Sequence, residues 1–491
     1  YALEGAHNDG PWEQPEKFHR TNAVLRYSVG GAESRSTVTA MAYTAGWNAT
    51  DQVPLRAVSS GAIDRFGTID PSDGGQTSRY SLSFNTEQRD GDAVWSLDAH
   101  AIRSRLDLFS NFTFFLDNPI AGDQFEQAEQ RSVFGLATRR TWGGTLAGRP
   151  STHTVGLQLR HDRLDPVGLY ATAARQRVSV TQESVVRQTS TGVYAETATQ
   201  WTPWLRSVAG LRGDRFGFDV ISSIAVNSGS SHASIVSPKL SLIFGPWRKT
   251  ELFVNAGTGF HSNDARGTTS TVKARAPGEA ADRVNALVRS RGAELGLRTE
   301  PVAGLQSSLA LWQLRLGSEL LFVGDAGETE ANRASWRHGI EWNNHWVATP
   351  WLLVDADLSL SRTRFDDGDP DGVGRHIPGA IETVLSLGAT VIDRGPWFGQ
   401  FQLRYFGPRP LIEDNSQRSK AATLAYLRAG YRINPNMKIA LDVFNLFDRE
   451  ASDIDYFYAS RLRGEAAEGV PDVHFHPVEP RSVRLSLVMS F

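Results

Sequence analysis

Apolar side chains along this chain recur at every second position. In the stretch Arg481 to Phe491, Val483, Leu485, Leu487, Met489 and Phe491 alternate with Arg484, Ser486, Val488 and Ser490. Successive strand side chains point to opposite faces, so this pattern predicts a strand with one apolar and one mostly polar face. The same period sets Gly399, Phe401, Leu403 and Tyr405 against Gln400, Gln402 and Arg404, and Leu427, Ala429, Tyr431 and Ile433 against Tyr426, Arg428, Gly430 and Arg432. A face that carries arginine cannot line a small, filled barrel, so a roomy polar interior is predicted.

Two kinds of connection separate the runs. Short ones fall at Gly30 to Ser34, Arg89 to Asp92, Gly143-Gly144 to Pro150, Thr202-Pro203, Gly245-Pro246, Glu300-Pro301, Thr349-Pro350, Gly395-Pro396 and Asn434 to Asn436, where Gly, Pro and Asn supply hairpin geometry. Long ones run His7 to Arg20, Asn48 to Thr77, Asp117 to Gln127, Asp162 to Gln188, Ser222 to His232, Ser262 to Leu287, Asp325 to Ser335, Asp366 to Ala380, Pro408 to Ala421 and Asp448 to Pro480. With a strand at each terminus, the alternation predicts about 20 strands. An even count, with the C-terminus on the short-turn side, is the periplasmic convention of outer-membrane barrels. Four turns carry a Pro-Trp pair, at Pro203-Trp204, Pro246-Trp247, Pro350-Trp351 and Pro396-Trp397, which predicts an aromatic girdle at one membrane interface.

Composition narrows this further. No run of apolar residues is long enough for a transmembrane helix, and a mean hydropathy of −0.32 suits a barrel that shows lipid only alternate side chains. A net charge of −3 offers no basic field, so no nucleic acid is expected as a partner. The absence of cysteine excludes disulfides and thiolate chemistry. No Ser/His/Asp set or phosphate loop stands out, so neither an enzyme nor a cofactor is expected.

From Asp442 to Asp448 (Asp-Val-Phe-Asn-Leu-Phe-Asp), followed by the terminal strand, the chain resembles the C-terminal end of TonB-dependent outer-membrane receptors. Val254 to His261 and the stretches Ser290 to Gly296 and Trp336 to Glu341 look like the same family. The resemblance implies an all-β, transmembrane, antiparallel up-and-down barrel of 22 strands in a Gram-negative outer membrane, with a lumen closed by an N-terminal plug and a TonB box before it. Residues 1–491 are then expected to be the barrel domain alone, without plug, box and first hairpin. The implied function is binding of a scarce nutrient such as an iron-siderophore or other metal chelate at the extracellular loops, then passage through the lumen with TonB-derived energy. The implied partners are outer-membrane lipid, the ligand, the plug and TonB complex, and the barrel assembly machinery through Phe491. A passive porin and a soluble all-β secreted enzyme are the alternatives.

Candidate ligand contacts come from two polar loops: His261, Asn263, Asp264 and Arg266, and Asp453, Asp455, Tyr456, Tyr458, His474 and His476. The spacing His474-x-His476 puts two imidazoles on one face if extended, which could meet a divalent metal or its chelate. Asp367 to Gly372 begins like a Ca²⁺ loop, but Pro378 stands where its closing Glu belongs, so an acidic solvated loop is expected. Phe109, Phe112, Phe114 and Phe115 suit either a lipid girdle or a ligand platform. Glu294, Arg298, Glu341, Asp355, Asp357, Arg404, Arg428, Arg432 and Asp442 are assigned to the lumen face, as wall pairs or plug contacts.

Overall fold

The computed structural model describes residues 1–323, 328–331, 333–369 and 372–490. Phe491, with the assembly contact expected of it, lies outside the described residues, as do Pro370 and Asp371 of the acidic loop and part of Asp325 to Ser335.

Twenty strands form one sheet. They are β1 (Ala2–Asn8), β2 (Phe18–Gly30), β3 (Ser34–Asn48), β4 (Gly74–Asp90), β5 (Ala93–Ser110), β6 (Phe125–Leu146), β7 (Arg149–Ala173), β8 (Gln176–Thr202), β9 (Leu205–Ser222) and β10 (Gly229–Trp247). The second half comprises β11 (Thr250–Ser262), β12 (Leu287–Thr299), β13 (Leu305–Leu316), β14 (Ser335–Thr349), β15 (Leu352–Phe365), β16 (Thr383–Arg394), β17 (Trp397–Phe406), β18 (Ala422–Asn434), β19 (Met437–Phe444) and β20 (Ser482–Met489). Each pairs antiparallel with its neighbours in the chain, from Ala2↔Val24 in the first pair to Met437↔Met489 in the last. The sheet is therefore up-and-down throughout.

All nine short connections occur, at the end where β20 finishes. The turn expected between Gly143 and Pro150 narrows to Ala147 and Gly148, at φ +50° and +72°. The turn expected at Gly245-Pro246 lies two residues later, at Arg248 and Lys249 (φ +49° and +64°), because the ladder passes the proline through a bulge and closes again at Trp247↔Thr250. Asp162 to Gln188 needs a larger correction: it is no loop but the facing parts of β7 and β8, which are 25 and 27 residues long and turn at Ala174-Arg175. About ten residues cross a bilayer, so this hairpin stands clear of the membrane and needs no apolar face there.

Exposed apolar side chains are spaced two apart along strand after strand: Leu25, Tyr27 and Val29; Tyr80, Leu82 and Phe84; Leu309 and Leu311; Ile340 and Trp342; Leu485 and Leu487. Register carries this face across strands, with Leu485 opposite Leu441 and Leu487 opposite Ile439. Soluble monomers rarely expose apolar patches beyond a few hundred Å², whereas lipid welcomes such a belt. Trp204, Trp247 and Trp397 are exposed at the short-turn rim, with Trp204 and Trp247 stacked at 6.4 Å. The opposite face is ionic. There Asp442 is wholly buried, accepting from Tyr426 Oη and from Arg428 Nε and Nη2 at 2.7 and 3.0 Å.

At the long-connection end the loops interlock. Val53–Pro54 adds to the hairpin Ser452–Ser460/Val470–Pro477. Phe114 is buried against His474, Phe112 meets Phe125 edge-on, and Arg463 lies over Phe115. This aromatic run is thus the interior of a loop cluster, neither a lipid girdle nor an open platform.

Candidate ligand site

Past the end of β11 the chain doubles back over the polar face. Asp264 caps the short helix Ala265–Thr269, its side chain accepting from the backbone N–H of Arg266, while Arg266 Nε and Nη2 return to the same carboxylate at 3.0 and 2.7 Å. Burial alone would raise the Asp264 carboxyl, but the Arg266 charge and hydrogen bonds hold it below the ordinary value. The helix is pinned from one side by Asn227, whose carbonyl accepts from Thr269 and whose amide oxygen accepts from the backbone of Thr271 and Val272. From below, Ala265 and Ala286 pack on Val167, Val186, Phe218 and Val220. Burying each larger apolar side chain contributes about 1.5–3 kcal/mol, enough to hold the segment inward.

Under this segment lies a cavity of about 510 Å³, lined among others by Arg131, Arg160, Asp162, Phe216, Asp264 and Arg266. Arg160 grips Asp162 through Nε and Nη2 at 2.7 and 2.8 Å, and Arg131 Nη2 reaches Glu129 at 2.8 Å. The volume suits a drug-sized ligand, and apolar and hydrogen-bonding surface alternate around it.

Of the first predicted loop, Asn263, Asp264 and Arg266 line this cavity. Asn263 and His261 sit deeper than expected: Asn263 Oδ1 and His261 Nε2 are buried with no partner among the described residues. The second group is gathered into the loop hairpin and contributes nothing to this lining. His474 is fully buried, its Nε2 at 2.7 Å from Ser460 Oγ, its Nδ1 at 3.0 Å from the Asp472 carbonyl and its ring stacked on Tyr458 at 3.7 Å. That corrects its assignment as a ligand contact, because both ring nitrogens are engaged; burial pushes its pKa down to about 4. His476 pairs with Asp453 at 3.0 Å and lies 4.7 Å from the Trp12 ring; Asp455 accepts from Arg409 at 3.2 Å, and Tyr456 is exposed. Asp367 of the acidic loop binds Arg333, as does Glu413 from the connection Pro408 to Ala421. Among the described residues, no three acidic or imidazole side chains gather as a metal ion would need.

The residues expected to face the lumen alternate along their strands with those of the apolar belt. Arg298 bonds Glu251 at 3.1 Å, Asp355 bonds His345 at 2.6 Å, and Asp357 stands beside them around a second cavity of about 550 Å³. Arg404 lines a third cavity of about 430 Å³, Arg432 pairs with Asp393 at 2.5 Å, Glu294 accepts from Asn255 at 3.2 Å, and Glu341 is exposed. Arg131, Arg160, Asp162, Gln188 and Phe216 were missed because most of them fall in or beside the supposed loop. The signal for Arg160 and Asp162 is Arg-x-Asp spacing, which on a strand puts the two charges on one face and recurs at Arg105/Asp107 and Arg212/Asp214.

A sheet whose apolar face is exposed along strand after strand and whose other face is ionic fits a wall between lipid and water, which sets this molecule among the wide transmembrane β-barrels. Residues 18–446 match the family model described as TonB dependent receptor-like, beta-barrel. The chain belongs to that family, a family of transporters. Its fold is shared with the Ferric-Catecholate import receptor Fiu from K12 E. coli in its closed form (TM-score 0.75, 13% identity, covering 100% of this chain and 76% of that one). It is shared also with the ferric citrate transporter FecA in its unliganded form (0.78, 13%, 100% and 72%) and with the ferric yersiniabactin uptake receptor FyuA from Yersinia pestis (0.75, 14%, 100% and 74%).

Proposed function

We propose that this chain is the barrel domain of an uptake receptor in the outer membrane of a Gram-negative bacterium, and that its ligand is a ferric or similar metal chelate. The carrying observation is the cavity of about 510 Å³ on the polar face at the long-loop end, walled by Arg131, Arg160, Asp162, Phe216 and the folded-in segment Ser262 to Arg266. A ligand arriving from outside meets this cavity before the deeper polar wall. The names of Fiu, FecA and FyuA, all receptors or transporters of ferric chelates, support that ligand class. Arg298, Asp355, Asp357, Arg404 and Arg432, with Glu294, Glu341, Arg428 and Asp442, are the proposed contacts for a plug, whose movement by the TonB complex would open the path. The outer membrane holds no gradient of its own, so the energy comes from the inner membrane.

Calorimetric titration of the detergent-solubilised protein with a panel of ferric chelates, their metal-free forms and neutral oligosaccharides tests the reading. At least one ferric chelate should bind with Kd near or below about 1 μM, about −8 kcal/mol. Ser190→Trp, which puts an indole into the cavity, should abolish that binding. Binding of an oligosaccharide and of no ferric chelate would overturn it.

A further inference from the structure

The uptake reading leaves open what kind of chelate the cavity accepts, and the inference drawn here rests on that reading. Three guanidiniums face the space, and each is already matched. Arg160 is held by Asp162 and Arg266 by Asp264, both through two hydrogen bonds, and Arg131 by Glu129. Asp162 is only 4% exposed, so its charge is spent on its arginine rather than on water. The charged residues of the lining are these three arginines with Asp162 and Asp264, and Glu129, just outside the lining, supplies the third negative charge, so every guanidinium has its own carboxylate.

An anion entering such a site must shed its hydration, yet the field it meets is cancelled a few ångströms behind each guanidinium. Taking Arg160 for itself would strand the buried carboxylate of Asp162, which costs more than the new contact returns, and Arg266 and Arg131 would have to give up half-buried partners. A neutral ligand faces neither penalty. It can accept from guanidinium N–H groups, donate to carboxylate oxygens, bond to Gln188 and Ser190, and lay apolar parts against Leu164, Val186 and Phe216.

We infer that this cavity selects a chelate of zero net charge, carrying donors and acceptors over its surface, and discriminates against polyanionic chelates. A neutral ferric trihydroxamate is the matching probe; a trianionic ferric tris-catecholate and an anionic ferric citrate complex are the opposing ones.

The test is titration of the detergent-solubilised protein with these three probes. The wild type should bind the neutral probe at least about 10-fold more tightly than either anion. Asp162→Asn exposes the Arg160 charge and should narrow that ratio by about 10-fold or more. Asp264→Asn, which keeps the helix cap, should act in the same direction, and heat-modifiable gel migration checks that each variant is folded. Tighter wild-type binding of an anionic probe, or a ratio unmoved in both folded variants, overturns the inference while leaving ferric-chelate uptake standing. Failure of every ferric chelate to bind overturns the uptake reading and takes this inference with it.

Discussion

Asp73 shows how much a single side chain can report about the loop cluster. It is 1% exposed and accepts from Gln124 Nε2 at 3.0 Å, with Asp51 and Asp70 close by. The nearest guanidinium, Arg175, directs its Nη2 to the Asp73 backbone carbonyl and to Asn48 instead of to the carboxylate. Burial first, then the neighbouring acids, pushes the Asp73 pKa up from 3.8 to about 9, and burial pushes Asp51 to about 6. The folded state therefore keeps a proton that the unfolded chain releases. Its stabilisation is complete below pH 3.8 and drains away as pH rises toward 9. His474 has the opposite sign: depressed from 6.5 to about 4, it favours the fold above pH 6.5 and loses that contribution as pH falls through 4. Asp73→Asn keeps the acceptor and removes the titration. Hydrogen exchange in residues 49–73, corrected for intrinsic rates, should slow in this variant at pH 8 and be unchanged at pH 4; equal protection at pH 8 would contradict the assignment.

Among the elements, the loop hairpin Ser452–Ser460/Val470–Pro477 is tied by several distant residues, and Arg56 makes the most hydrogen bonds to it and its connecting loop. Arg56 Nε and Nη2 each reach Glu465 at 2.9 Å, its backbone N–H donates to Asp472 at 2.8 Å, and Nη2 also donates to the Ser460 carbonyl at 2.9 Å. Removing charge-assisted hydrogen bonds of a half-buried pair of this kind costs about 1.5–3 kcal/mol. Arg56→Ala should therefore release the hairpin while the sheet stays intact. Trypsin cleavage after Arg461 or Arg463 should then accelerate by about 10-fold or more, and unchanged cleavage would show that the aromatic contacts hold the hairpin without Arg56. None of this was legible in the sequence, because Arg56 and Glu465 lie 409 residues apart. Strands and short turns were legible, since a bilayer imposes strict alternation and hairpins demand Gly, Pro or Asn. Both cues fail outside the membrane. In β7 and β8, Thr172, Arg177, Gln182 and Glu183 carry no apolar alternation, and Ala174-Arg175 turns without a turn residue. Asn263, Asp264 and Arg266 were found because they follow a clear strand; Arg160 and Asp162 were lost with the hairpin that presents them, and Arg131 lies on the neighbouring β6.

For the whole molecule, the decisive property is the division between a lipid-facing belt and a loop interior, and tryptophan marks both sides of it. Trp342 lies midway along β14 on the apolar face, opposite Leu309 and Leu358. Trp204, Trp247 and Trp397 are exposed at the short-turn rim, where an indole can keep its ring in lipid and its N–H in water. Trp12 is 6% exposed, packed in the loops against Phe66 and His476. Reconstitution into lipids brominated at different acyl depths should separate these positions. Bromines deep in the chains should quench Trp342 most, and bromines near the headgroups should quench Trp204, Trp247 and Trp397. Trp12 should escape both, so that Trp12→Phe removes unquenched emission and Trp342→Phe removes quenched emission. A soluble sheet whose apolar face merely awaited a protein partner would show no depth dependence and would stay in solution without detergent. Equal quenching of Trp12 and Trp342 would mean that lipid reaches the loop cluster, and the division between belt and loops would then have to be abandoned.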